Sequence, residues 1–571
     1  MNEMYGYAGK ILRINLTSKT TEEVPITNYV PKYVGGRSIA NKIFWDEVPE
    51  GVKAFDPENK LIYMTGPTTG TGIPSGGRTV FTSISPNSLP EQYSWSGMGG
   101  WFGSELKFAG YDGLIIEGQA DEPTYVYIED EKVEFLSAEK IWGQYVHETQ
   151  EMLEEIHGKD VKSFVIGPAG ENLIRISSIT TANDNAAAKS GFGAVMGSKK
   201  LKAVTVRGTG AIKPADIDHL LKLRRTMNTP PMRLNPIQHM DKCEAGANIQ
   251  LPVEGGLKQT QVSCSFGCNQ HCNRMFVDVK SGTSFKKKNR VEKCVGIFAM
   301  DFTENCGWMP NQTFVTEKNH AAPCKTLSGD MDPPDMTDEH ADELFKWRPA
   351  ETVNFWKGDF DKGNVMMDLC NQYGIDKWDV TVWLFPWFSM GQKEGVFEGI
   401  DFGMPIDVES EEFVRYILDM ITYRKGYYGN LLAEGMARAI RVMGKEKFGD
   451  TIYHGRYSNC IPGLRLDIPI SLETAWGGSF HWQGRGYQAA IDITGWLPAS
   501  LELMSSPRDM QTVAHFHATW DYYEAVKDDP YHNRLVPRQA IECENRAEVK
   551  DSITSCEWQA PDHYWPDMEC E

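Results

Sequence analysis

Three thiols fall within nine residues in Cys264-Ser-Phe-Gly-Cys268-Asn-Gln-His-Cys272. Thiolates this close on a loop-like stretch can converge on one soft metal centre, either an iron–sulfur cluster or a tetrahedral zinc, with a fourth thiolate drawn from far along the chain. The chain has 12 cysteines, and its N-terminus MNEMYGYAGK lacks the layout of a secretory signal. A cytoplasmic location is therefore expected, where thiols are kept reduced and a disulfide framework is disfavoured. His271 lies inside the motif and offers its imidazole either to the cluster or to solvent. Cys243, Cys306, Cys324, Cys370, Cys460, Cys543 and Cys570 have no spacing that calls for a second cluster and read as structural.

Glycine is the second chemical signal. It concentrates at 34–38 (VGGRS), 65–78 (TGPTTGTGIPSGGR), 96–103 (SGMGGWFG) and 190–199 (SGFGAVMGSK). Such loops bring backbone N–H groups close to a phosphorylated ligand, and Arg37, Arg78, Lys107 and Lys199 stand ready to neutralise charge. No phosphate-loop motif and no dinucleotide fingerprint in a βαβ frame accompanies them, so a nucleotide is not the expected ligand.

The elements that must position these residues change character along the chain. GKILRINL, LIYMTG, RTVFTSIS, DGLIIEG, TYVYIEDEKVEFL and KAVTVRG are short β-branched runs between turns. After Lys213-Pro214 the apolar spacing becomes helical, in IDHLLKLRRTM, NVMMDLCNQYG, SEEFVRYILDMITYRKG and NLLAEGMARAIRVMG. The expectation is an α+β chain with a β-rich domain over 1–208, followed by mainly helical domains over 209–400 and 401–571. Residues 301–360 read as a long irregular excursion, and Trp378, Trp383, Phe385, Trp387 and Phe388 read as core. The 571 residues exceed what one core holds. The formal charge of −20 argues against nucleic acid or an anionic membrane as partner, and no apolar stretch reaches the roughly 18 residues of a spanning helix. The basic run Lys286-Lys287-Lys288 reads as a solvated loop.

The run Gly99-Gly100-Trp101-Phe102-Gly103-Ser104-Glu105-Leu106-Lys107-Phe108-Ala109-Gly110-Tyr111-Asp112 resembles the GGxFGxELKxAGYD pattern of the tungsten-pterin aldehyde:ferredoxin oxidoreductase family. GKILRINLT, GPAGEN at 167–172, GFGAVMGSKKLKAV at 191–204 and YRKGYYGNLLAEG at 423–435 are similar to further segments of that family. The resemblance implies an N-terminal domain that carries two pyranopterins chelating tungsten or molybdenum, their phosphates bridged by Mg²⁺. It places Arg78, Ser96, Gly97, Gly99, Gly100, Ala187, Ala188 and Lys189 along the pterins. Lys189-Ser190 stands where the family carries Arg-Gly. Asn371-Gln-Tyr-Gly-Ile-Asp376 is similar to the family's DxxGLD pterin motif, with Asn371 in place of the first Asp. The resemblance also assigns Cys264, Cys268 and Cys272 to one [4Fe-4S] cluster. Its fourth ligand is Cys556, in a run similar to the family's DSLGxC.

The same resemblance places His481 beside the metal and Glu292 in an acid/base role. Cys294 resembles the thiolate ligand to tungsten in the related class II benzoyl-CoA reductase subunit; a buried structural cysteine is the alternative. The implied activity is oxidation of an aldehyde to a carboxylate, with electrons leaving through the cluster to ferredoxin or an iron–sulfur subunit. The alternative is low-potential reduction of an aromatic or enoyl acyl-CoA, and a third reading is a non-catalytic zinc-stabilised subunit. An oligomer is expected. Family members continue for about a hundred residues past the last cluster cysteine, on the scale of a typical domain, so the C-terminus reads as incomplete or as completed by another subunit.

Overall fold

The computed structural model describes residues 4–88, 91–227, 259–268, 273–285, 289–292, 360–377, 379–393, 395–443 and 549–556. His271, Cys272, Cys294, Trp378, His481, the basic run at 286–288 and nearly all of the 301–360 segment lie outside them, as do the structural candidates Cys243, Cys306, Cys324, Cys460, Cys543 and Cys570.

Twelve strands form two six-stranded sheets. In chain order they are β1 (Lys10–Asn15), β2 (Thr20–Pro25), β3 (Leu61–Met64), β4 (Thr79–Ser85), β5 (Gln92–Met98), β6 (Gly113–Glu117), β7 (Thr124–Glu129), β8 (Lys132–Ser137), β9 (Lys162–Val165), β10 (Ile179–Thr181), β11 (Asn185–Ala187) and β12 (Leu201–Arg207). The first sheet runs β2-β1-β6-β3-β4-β5 and the second β11-β10-β9-β12-β7-β8. Both are mixed: β1 pairs parallel to β6 and β7 parallel to β12, while the remaining ladders are antiparallel.

The alternation of side chains decides how the layers stack. Leu12, Ile14, Leu61, Tyr63, Leu114 and Ile116 of the first sheet share one buried core with Val126, Ile128, Phe164, Val204 and Val206 of the second. The intervening residues Ile11, Ile62, Met64 and Ile115 face the other way, under Ile39, Ala40 and Ile43 of the helix Gly36–Glu47. Tyr125, Tyr127 and Ala203 likewise pack beneath Val146 and Leu153 of the helix Val146–His157. Phe164 holds the centre, with ring centroids 4.6 Å from Phe102 and 5.3 Å from Phe81. Deleting a ring buried like this costs about 3 to 5 kcal/mol.

The later part is helical, through Phe360–Tyr373, Phe385–Lys393, Glu411–Thr422, Gly426–Ala433 and Met436–Val442. Ser410 caps the third of these by accepting from the Phe413 N–H, with Glu411 and Glu412 in its first turn. The helical run NLLAEGMARAIRVMG is divided in two at Gly435, which adopts φ 88. A further departure from the helical expectation is a third sheet of β13 (Gln259–Val262), β14 (Asn273–Val277) and β15 (Asn289–Glu292), which flanks the cysteine motif. Phe385, Trp387 and Phe388 are core, as expected, and so is Cys370. Among the described residues no helix is long and apolar enough to cross a membrane.

Candidate functional site

The glycine loop at 65–78 is the hub. Gly66 at its start is held by Lys107, whose Nζ donates to the Gly66 carbonyl at 2.8 Å and lies 3.4 Å from the Asp112 carboxylate. Burial pulls the Lys107 ammonium down to about 8, against the opposing pull of Asp112. Lys199 is also buried, and donates to the carbonyls of Pro57 and Gly118. Arg37 pairs with Asp551. These three cations were candidates for neutralising a phosphate; their charges instead fasten the fold. The physical reason is burial, which obliges each to take a protein partner.

Two chain-distant segments converge on the loop. Residues 549–556 end in Cys556, whose N–H donates to the Ser75 carbonyl at 2.8 Å. Thr69 and Thr554 hydroxyls meet at 3.0 Å. Gly36 is left-handed, and a Cβ there would collide with the Asp551 carbonyl, so this glycine admits the segment. From the other side comes the turn after β13. Ser263 Oγ donates to the carbonyls of Ser265 and Cys268, at 2.8 and 2.7 Å, and closes the turn around Cys264 and Cys268. Ser265 packs on Gly77 and Gly267 on Gly72. Arg224 clamps them by donating to the carbonyls of both Gly72 and Gly267. Phe266 lies edge-on to Phe108 at 5.1 Å.

The turn that carries Cys264 and Cys268 and the segment that ends in Cys556 therefore both abut this glycine loop, and none of the three cysteines forms a disulfide. Among the described residues no three His, Cys, Asp or Glu side chains gather as they would around a single ion. A four-iron cluster asks for something different, one thiolate at each iron.

Beyond Arg78 the loop becomes β4, paired with β5 so that Phe81 faces Ser96 and Val80 faces Gly97. The stretch from Ser96 to Gly100 is thus no simple loop, as its glycines suggested. Its first half is a strand, because the ladder to β4 satisfies its backbone. A side chain at Gly97 would enter the Arg78 guanidinium, and Gly100, at φ 106, lies against Thr181. Ala187 ends β11, with Ala188 and Lys189 following at the strand edge. Ser190 and Thr554 both hold left-handed backbone, at φ 74 and 62, where glycine sits more easily. Each has compensating bonds: Ser190 Oγ donates to Ser94 Oγ at 2.8 Å, and Thr554 Oγ1 to the Ile553 carbonyl at 2.6 Å.

The segment from Asn371 to Asp376 docks across this edge. Gly374, at φ 75, turns the chain so that its carbonyl accepts from the Ser178 N–H at 2.7 Å, while the Asp376 N–H donates to the Ile176 carbonyl at 2.9 Å. Lys189 Nζ donates to Asp376 Oδ2 at 2.6 Å. The structure thus brings the two expected pterin segments into contact. Asn371 Nδ2 and Ser96 Oγ are buried with no hydrogen-bond partner among the described residues. Unmet buried polar atoms of this kind fit a polar bound group.

Of the acid/base candidates, Glu292 ends β15, opposite Arg274, on a strand packed against Ala182–Asp184. Cys294 and His481 lie outside the described residues, as does Cys272. Sequence reasoning missed three features: the Arg37–Asp551 pair, the buried His147–Asp184 pair, and buried Asp379 within the electrostatic reach of Asp376. Only for Asp379 was there a signal, its position three residues past a motif carboxylate.

Comparison with known proteins gives a consistent picture. Residues 11–208 match the family model "Aldehyde ferredoxin oxidoreductase, N-terminal domain", and 252–571 match "Aldehyde ferredoxin oxidoreductase, domains 2 & 3". The tungsten-containing aldehyde ferredoxin oxidoreductase of Pyrococcus horikoshii is 45% identical over 224 residues, covering 39% of this chain and 37% of the relative. The aliphatic sulfonate oxidoreductase WOR-like subunit of Pyrococcus furiosus is 39% identical over 226 residues, covering 37% and 36%. The matched part thus spans little more than a third of the curated relatives' length. The fold is similar to the active-site complex BamBC of benzoyl-coenzyme A reductase, solved with 1,5-dienoyl-CoA. The TM-score is 0.65 at 21% identity, over 98% of this chain and 84% of that one.

Proposed function

The chain belongs to the aldehyde ferredoxin oxidoreductase family, and on that premise we propose that it oxidises an aldehyde to a carboxylate and passes the electrons through one [4Fe-4S] cluster to ferredoxin or an iron–sulfur partner subunit. The observation that carries the reading is the meeting of the Cys264–Cys268 turn and the Cys556 segment on the glycine loop that continues through Arg78 into β4. Cluster and cofactor would then share one rigid element, which suits short-range electron transfer.

When bound, the tungsten (or molybdenum) bis-pyranopterin supplies a Lewis-acidic, two-electron metal centre. The residues that would hold it are Arg78, Ser96, Gly97, Gly99 and Gly100 on one side, Ala187, Ala188 and Lys189 on the second, and Asn371 and Asp376 on the third. Glycine at 97, 99 and 100 keeps that surface open to backbone approach, and Asn371 offers its amide to a polar ring edge. Mg²⁺ belongs to the reading as the cation that would neutralise the pterin phosphates. Glu292 and His481 take the proton-handling role, since oxidation of an aldehyde with water releases protons that a neighbouring base must accept. Cys264, Cys268, Cys272 and Cys556 are the cluster ligands.

A second reading is reduction of an aromatic or enoyl acyl-CoA. The whole-chain fold likeness to the benzoyl-coenzyme A reductase complex favours it, as does Cys294 if its thiolate occupies a metal position. Aldehyde oxidation stays first because the relatives with the higher sequence identity carry that name. Metal analysis and turnover decide between the readings. Tungsten or molybdenum with about four irons and aldehyde-dependent reduction of a viologen dye support the proposal. Zinc alone would overturn it. Acyl-CoA turnover without aldehyde activity would transfer the case to the second reading.

A further inference from the structure

Asp379 is a buried carboxyl group to which nothing above gives a role. It opens the π-helical stretch Asp379–Leu384, immediately after the turn that carries Asp376, and irregularities of this type recur at functional sites. Its side chain accepts a hydrogen bond from Asn87 Nδ2 at 3.2 Å, across 292 positions of sequence. Asp376 and Lys189 act on it electrostatically, and these two are bonded to each other at 2.6 Å. The cluster therefore holds two buried carboxyl groups and a buried amide, with the Lys189 ammonium at its partly exposed side.

Further charges sit one layer out. Arg438 donates to the carbonyls of Asn87 and Ser88, at 3.3 and 2.7 Å. Arg175 donates to the Pro86 carbonyl at 2.8 Å and pairs with Glu91 and Glu434. None of these is a source of the shift in Asp379, which comes first from desolvation and then from the Asp376 charge, with Lys189 and Asn87 opposing. Asp379 is pushed up to about 8. The Asp376 charge, held by Lys189, adds to the cost of ionising Asp379.

We propose that Asp379 is the proton store of the cofactor pocket, taking one proton from water when the group bound by Lys189 and Asp376 gains an electron and releasing it when that electron leaves. The inference rests on the proposed pterin position at Lys189 and Asp376. Asp379 is a positioning residue for charge, since it acts through those two side chains and touches no substrate. Each electron added brings negative charge to the edge that Lys189 and Asp376 face, and one proton at Asp379 offsets it. The electron comes from the iron–sulfur cluster or, in the assay, from a chemical reductant.

The test uses the metal-loaded holoprotein. The midpoint potential of the metal's one-electron couple is followed by EPR-monitored titration at several pH values, in wild type, Asp379→Asn and Asp379→Glu. In wild type the potential is flat below about pH 8, where Asp379 already holds its proton, and falls as pH rises above it. Asp379→Asn, which keeps the hydrogen bond to Asn87, makes it independent of pH, and Asp379→Glu restores the dependence. Infrared difference spectra of wild type above about pH 8, reduced minus oxidised, with isotope-labelled aspartate, show the C=O stretch of a carboxylic acid appearing on reduction. This measurement serves if the variants do not fold. A metal-replete Asp379→Asn protein with the wild-type slope, or a wild-type spectrum lacking the aspartic acid band, overturns the proposal alone. Purified wild type lacking any metal–pterin overturns the parent reading with it.

Discussion

Arg37 and Asp551 form a fully buried ion pair at 2.8 Å although 514 positions separate them in sequence. Arg37 also stacks 4.4 Å over the Trp95 ring on β5. A single guanidinium thus ties the first helix, the strand carrying Ser96 and Gly97, and the segment that ends in Cys556. Arg37→Met removes the counter-charge from a buried carboxylate and should cost about 3 to 5 kcal/mol. Thermal unfolding would show this as a lowered midpoint, and iron analysis should show partial loss of the cluster. A variant with wild-type midpoint and iron content would mean the pair does not hold the segment.

Cys556→Ser keeps the backbone bond to Ser75 and removes only the thiolate. The low-temperature EPR signal of the reduced cluster should disappear or convert to a three-iron type, because the fourth iron loses its ligand. An unchanged signal would exclude Cys556 from the cluster.

Gly97→Ala drives a methyl group into the Arg78 guanidinium. Overpacking of this kind costs about 1 to 3 kcal/mol, a modest loss for stability. The larger expected effect is on cofactor retention, since Arg78 must swing away from the strand edge. Protein purified from the variant should carry substoichiometric pterin by fluorescence of its oxidised derivative. Full occupancy would show that Arg78 takes no part in binding.

Lys107 supplies a pH signature. Its ammonium is held at about 8 in the folded protein against 10.5 as the ordinary value, chiefly by burial. Between those two values the unfolded chain binds more protons than the folded one, so stability rises with pH across that window. Below about 8 the full cost of the buried charge is present. The wild-type unfolding midpoint minus that of Lys107→Met should therefore increase from pH 8 to 10.5, by an amount equivalent to at most about 3 kcal/mol. A flat difference would refute the burial account.

Cys294→Ser addresses the choice of chemistry. If the thiolate is a metal ligand, the serine variant loses metal or changes the EPR spectrum of the one-electron-reduced metal. A metal-replete variant with undiminished aldehyde turnover shows that the sulfur is dispensable, and the acyl-CoA reading then loses one of its two supports.

Much of the fold was legible because its signals are local. Alternation in GKILRINL, LIYMTG and TYVYIEDEKVEFL marks the strands that face both the shared core and a covering helix, and the asparagine, glycine and cysteine motifs mark the segments that meet at the site. Short or polar strands such as β2, β10 and β11 passed unread, since three to six residues without strong alternation resemble loop. β5 was masked by its own glycines, whose role as a close approach for Arg78 depends on the neighbouring strand.

What the sequence by itself determined was the α+β class, the family resemblance and the residue types available for iron, pterin and proton. All of these are properties of composition and spacing within one segment. Tertiary structure alone decided which partner each charge takes. Lys107, Lys199 and Arg37 look equivalent to Lys189 in a list of cations, yet the first three are committed to carbonyls or to Asp551, and Lys189 to Asp376. Asp379 looks like any helical acid until Asn87 and Asp376 surround it. The reason is physical: desolvation and Coulomb interaction depend on distance in space, and segments hundreds of residues apart carry no local trace of the partner they will meet.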